Sequence, residues 1–183
     1  VERVWMEMKR ILASPKRGDI ISAMWDCGVL DVILPFDEFS PHEVMGTNPM
    51  DATTALTLLV PEVDKLHDLC AAWKLSGSES MDALFIASNR GMTVQQAEDF
   101  IVCQIPASLI LQVAMVDGNP ELTKAVNEFV MPIFPVTGKD LIALGFKEGP
   151  NLGRAMATAR QEWFDSRFTK NRKDLLNSVA KFM

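Results

Sequence analysis

Apolar residues recur at helical spacing through most of this chain, and a proline, a glycine or a capping side chain interrupts the pattern before any helix grows long. Pro61 opens a stretch through Trp73 with Val63, Leu66, Leu69, Cys70 and Trp73 on one face. Residues 78–89 follow and end at Arg90-Gly91; Thr93 caps 94–103, Pro106 starts 107–116, and Pro120 opens 121–130 after the Asp117-Gly118-Asn119 turn. Upstream, Val4, Met8, Ile11 and Leu12 mark a helix over 1–13 closed by Ser14-Pro15. A second helix over 17–27 stops at Gly28, and Asn48-Pro49 is read as the cap of a helix through Leu59. Two helical pieces flank a glycine-rich loop after residue 136, and 170–182 closes the chain. Strand signals are nearly absent, since Met131-Pro-Ile-Phe-Pro is too rich in proline for a ladder. The pattern predicts an all-α array of about 9–10 short helices. Residues 35–49 read as a loop that is long for a compact domain, which places a helical unit at 1–35 and a larger helical region at 36–183, separate or continuous.

A chain of 183 residues buries enough surface, about 70% of what it exposes unfolded, to need no staple. Its 48% hydrophobic and 23% charged residues exclude a disordered chain. Charge is unevenly distributed. The net −6 arises from +3 over residues 1–17, −13 over 18–137 and +4 over 138–183, where nine Lys or Arg face five Asp or Glu. Such segregation permits basic surfaces at both ends of an acidic protein. Cys27, Cys70 and Cys103 never form a CxxC pair and fall on apolar faces, so reduced, buried cysteines and a cytoplasmic location are expected. No apolar run is long enough for a span and no signal peptide opens the chain, so a soluble protein is expected. The chain begins in what already reads as helix interior, which is expected of a trimmed piece of a longer protein.

His67-Asp68 is the dipeptide of helical metal-dependent phosphohydrolases, but those sites need several histidines and this chain has His42 and His67 only. No GxSxG is present, and the carboxylate pairs Glu79/Asp82 and Glu98/Asp99 lack the glycine loop and cation of phosphoryl-transfer chemistry. No catalytic constellation is expected.

The stretch from Val136 through Ala157 carries Gly145, Gly149 and Gly153 between two helical pieces, with Lys139, Lys147 and Arg154 around the turn. It is neither a Walker A sequence nor a dinucleotide fingerprint, and the element before it is helical. Pro150 and Asn151 mark the start of the following helix, where amides at a helix N-terminus and nearby cations suit a phosphate. The alternative is a tight corner whose glycines allow close packing. Cations continue downstream at Arg160, Arg167, Lys170, Arg172 and Lys173, which favours an extended polyanion over a free nucleotide. Phe146, Trp163, Phe164 and Phe168 accompany them, with core packing expected for at least one of Trp163 and Phe164.

Thr137-Gly-Lys-Asp-Leu-Ile-Ala-Leu-Gly, followed by Gly149-Pro-Asn-Leu-Gly153-Arg and a helix, resembles the tail of tRNA nucleotidyltransferases and bacterial poly(A) polymerases. Glu2-Arg-Val-Trp-Met-Glu-Met, a Leu-Ala-Ser-Pro turn, Cys27-Gly-Val-Leu and Ile33-Leu-Pro are similar to their neck. The resemblance implies an RNA-binding region, with tRNA as partner, that works beside a catalytic head. The head's DxD-bearing pattern is not in these residues, so magnesium and nucleotide would belong to that head and no cofactor is expected in this region. Lys139, Lys147, Gly149, Asn151, Gly153, Arg154 and Arg160 are the expected RNA-backbone contacts. Arg3 and Arg10 match the family's pattern only loosely. The rival expectation is a helical protein-interaction module in which the glycine corner is structural.

Overall fold

In α1 (Glu2–Leu12) the buried residues Trp5, Met8 and Leu12 fall three and four apart, so one stripe of the helix enters the core and Arg3, Lys9 and Arg10 stay outside. The computed structural model describes residues 2–36, 39–45 and 50–181. Among them are twelve α-helices, one 3-10 turn and no strand, the all-α class that the apolar spacing predicts. Packing divides the chain into two units, Val1–Phe129 and Val130–Met183.

In the first unit, α2 (Arg17–Asp26), α3 (Val29–Ile33), the 3-10 turn Pro41–Met45, α4 (Ala52–Leu59) and α5 (Val63–Ala72) join α1 around one core. Trp5 and Trp73 stack there with ring centroids 6.4 Å apart. The Trp73 indole N–H donates to the Ile33 carbonyl at 3.2 Å, tying the end of α5 to α3. Residues before and after position 35 therefore share this core, with Leu12 and Ile21 beside Leu56 and Leu59.

A second core lies among α6 (Gly77–Ser88), α7 (Val94–Val102), α8 (Ala107–Val116) and α9 (Pro120–Glu128). α6 serves both cores, giving Ala83 and Ala87 to the first and Ile86 to the second. It starts from a capping box in which Ser76 and Glu79 satisfy each other's backbone N–H groups. At its far end, Asp117 accepts from Gly91 N–H at 2.7 Å and pairs with Arg90.

The second unit holds α10 (Gly138–Ala143), α11 (Pro150–Asp165) and α12 (Arg172–Ala180) around Val136, Leu141, Ala159, Trp163 and Leu175. Trp163 packs edge-on against both Phe134 and Phe168, so it is a core residue, as expected for one of the helical aromatics.

Several expectations need correcting. Asp51 caps α4, its carboxylate accepting from Thr54 N–H at 2.8 Å; the proposed Asn48-Pro49 cap lies outside the described residues. Part of the 35–49 loop is the 3-10 turn. Only Cys70 is buried, while Cys27 and Cys103 are exposed because each sits at a helix C-cap, past the last buried turn. Arg17, counted among the cations of the N-terminal surface, is 1% exposed and belongs to the interior.

Candidate nucleic-acid interface

The two units differ in charge. Residues 1–129 carry nine Lys or Arg against nineteen Asp or Glu, a net −10, whereas residues 130–183 carry nine against five, a net +4. Not all the cations of the second unit are available. Lys170 Nζ bonds Glu162 at 2.8 Å and holds that carboxyl below its usual range. Arg172 pairs with Asp140. The Asp140 carboxylate also accepts from the Thr137 backbone N–H at 2.7 Å and from its hydroxyl at 2.9 Å, and these bonds with Arg172 lower its pKa. Asp140 therefore joins the start of α10 to the start of α12, a structural task for the Thr-Gly-Lys-Asp run.

Lys139, Lys147 and Arg154 have no acidic partner among the described residues. Lys147 and Arg154 line one open cleft of about 700 Å³, together with Gly145, Phe146, Glu148, Gly149, Pro150, Asn151, Ala155 and Thr158. The cleft sits on the N-terminal end of the sixteen-residue α11, where Pro150, Asn151, Arg154 and Thr158 fall on one face. Arg154 Nη2 donates to Asn151 Oδ1 at 2.9 Å, fixing the guanidinium over the first turn. Gly153 N–H closes the first helical bond onto the Gly149 carbonyl at 3.2 Å. The backbone N–H groups of Asn151 and Leu152 have no partner among the described residues, which leaves two donors at the positive end of the helix dipole.

The glycines have different causes. Gly149 has φ 135° and ψ −163°, a region open in practice to glycine alone, so the turn into α11 requires it. Gly153 is helical, and a Cβ built there meets no atom within 4 Å. Close packing inside the unit does not explain it.

The expected contacts thus separate. Lys147, Gly149, Asn151 and Arg154 meet at the cleft, and Gly153 lies on the same first turns of α11. Lys139 and Arg160 are not part of its lining. Arg160 lies six positions along α11, about a third of a turn around the helix from Arg154, with its guanidinium 5.4 Å above the Phe134 ring. Glu148, Pro150 and Thr158 also line the cleft, beyond the expected contacts. Thr158 could have been found by its four-residue spacing from Arg154; Glu148 carries no such signal.

Residues 1–38 match a family model described as "Probable RNA and SrmB- binding site of polymerase A". The chain is 26% identical to the mitochondrial CCA tRNA nucleotidyltransferase 1 of Mus musculus over 199 residues, 98% of this chain and 46% of that protein. The Homo sapiens protein of the same name gives 26% over 200 residues, with the same coverage. A CC-adding tRNA nucleotidyltransferase of Deinococcus radiodurans is 28% identical over 164 residues, 85% of this chain and 36% of that protein. These matches bear out the resemblance to the RNA-binding region of tRNA nucleotidyltransferases and poly(A) polymerases. The chain spans about half the length of the curated mitochondrial relatives it matches.

Within residues 1–38, the part matched by the family model, α1 presents Arg3 and Arg10 on its solvent face, Arg10 lying 3.5 Å from Glu7. Among the described residues no group of three His, Cys, Asp or Glu side chains could hold a metal ion, and His67 is exposed beside Asp68. No helix of the described residues is long and apolar enough to cross a membrane.

Proposed function

We propose that this region grips the phosphate backbone of a tRNA-type RNA at the cleft on α11, in a protein whose nucleotide addition is performed by residues outside this chain. The observation that carries the reading is the joint position of Lys147, Arg154 and the open Asn151 and Leu152 amides at one helix start. Four donors, two of them charged and without acidic partners, form a receptor for phosphate oxygens. Gly153 supports the same reading: the space beside it is empty in the free protein, and an incoming backbone is what a missing Cβ admits. A purely structural corner accounts for Gly149 but leaves Gly153 without a reason.

The relatives' names supply the ligand class, since they are tRNA nucleotidyltransferases. On this reading magnesium and the incoming nucleotide are bound elsewhere, and this chain alone adds no nucleotide. Lys139 and Arg160 extend the grip as separate peripheral cations, outside the cleft.

The test is tRNA titration across a salt series with the native chain and the Lys147→Ala/Arg154→Ala double variant. Native binding is expected to weaken steeply with salt, and the double variant's log–log slope to be shallower by about 1 per lost cation. Equal, salt-independent binding by both proteins would overturn the proposal.

A further inference from the structure

Arg160 differs from the other cations of residues 130–183 in what it rests on. Lys170 and Arg172 end on carboxylates and Arg154 donates to Asn151. The Arg160 guanidinium instead lies 5.4 Å from the centroid of the Phe134 ring, with no acidic partner among the described residues. Phe134 is in turn held edge-on by the buried Trp163, ring centroids 5.3 Å apart, and Trp163 by Phe168 at 4.8 Å. The ring beneath the guanidinium is thus anchored in the core of this unit. The cation–π contact restricts a long, exposed side chain before any ligand arrives, which lowers the ordering cost of binding.

The surroundings of Arg160 do not suit a phosphate. It lies in the interior of α11, where backbone N–H groups are spent on intrahelical bonds, so it lacks the open amides that accompany Lys147 and Arg154. The neighbouring surface is apolar instead: Ile133, next to Phe134 in the chain, is 92% exposed, and the half-buried Phe164 lies one turn along α11 on the same side as Arg160. A guanidinium is planar and weakly hydrated, and with one side over Phe134 its other side is left to solvent, since Arg160 is exposed. The ligand chemistry that fits a planar cation among aromatic and aliphatic groups is a flat π-system, which in an RNA is a base released from its stack. We propose that Arg160 is a stacking site for an unpaired nucleobase, the base lying on the side of the guanidinium away from Phe134. This rests on the RNA-binding reading above and adds a base contact to it, on the same helix as the phosphate cleft and about 9 Å further along its axis. Every base has a π-face, so the site adds affinity for unpaired nucleotides without reading their sequence.

The experiment is fluorescence anisotropy of the full chain with labelled single-stranded RNA of one length, either oligoadenylate or the same backbone with abasic sites throughout, across a salt series. Arg160→Lys keeps the charge and loses the planar face. It is expected to weaken oligoadenylate binding about fivefold, as Arg160→Ala does, and to leave the binding of abasic RNA and the native salt slope unchanged. Arg160 is exposed, and far-UV circular dichroism checks that both variants fold. Native affinity of Arg160→Lys for oligoadenylate, whatever Arg160→Ala does, overturns the base site and leaves the phosphate reading standing. An equal loss on oligoadenylate and abasic RNA has the same meaning, since it assigns the guanidinium to the backbone. Failure of the native chain to bind either RNA, or binding of both that ignores salt, overturns the phosphate reading and the base site with it.

Discussion

Gly153 and Gly149 stand four residues apart and respond oppositely to the same substitution. At Gly153 the backbone is helical and the added methyl meets open space. Gly153→Ala should therefore raise stability by up to about 1 kcal/mol in urea denaturation, while weakening tRNA binding if an RNA backbone needs that space. At Gly149 the positive φ is the problem, and Gly149→Ala should cost about 1–3 kcal/mol by the same measurement. Glu79 gives a third residue-level outcome. Partial burial works against its ionisation, but hydrogen bonds from Lys9, from the Ser76 backbone and hydroxyl, and from the Trp5 indole outweigh it and hold its pKa at about 2. A carboxyl depressed in the fold stabilises fully above its unfolded pKa, and that contribution is lost as pH falls toward the folded value. Stability should thus decline between about pH 4.5 and 2. Glu79→Gln should flatten this part of the profile and cost about 1–2 kcal/mol at neutral pH.

At the level of elements, the short helix α10 depends on its ends. Six residues give it few internal hydrogen bonds, so the Asp140 bonds to Thr137 and the ion pair with Arg172 carry much of its definition. Asp140→Ala should lower the midpoint of thermal or urea unfolding, as the loss of a cap does. Elements were the scale on which the sequence was most legible. Helical spacing with Pro61, Thr93, Pro106 and Pro120 as punctuation located α5 and α7 to α9, because proline and capping side chains act through local backbone chemistry. Asp51 was missed because Asn48 and Pro49 offer the same signal a turn earlier, and only the Asp51–Thr54 bond decides between them. Burial of Arg17 and exposure of Cys27 depend on contacts between helices, which spacing within one helix does not encode.

Across the whole molecule, charge was legible as a total per segment but not as a surface. Counting gives residues 130–183 a basic total, nine Lys or Arg against five Asp or Glu. Counting could not foresee that Lys170 and Arg172 are taken up internally, or that Arg160 rests on Phe134 away from the cleft. Of the seven expected contacts, those close in sequence to the turn at Gly149 are the ones that gather, since a short loop fixes its own geometry while distant cations need a fold to bring them together. Removing Arg160 should accordingly reduce tRNA affinity less than Arg154→Ala does, measured by the same titration. Within the first unit, α6 belongs to two cores at once through Ala83, Ala87 and Ile86. Exposing its amides requires both cores to open, whereas α1 or α9 can be released by opening one. In native-state hydrogen exchange, α6 should hold its protons longest in that unit, making it the last helix to surrender deuterium-accessible sites as the protein fluctuates.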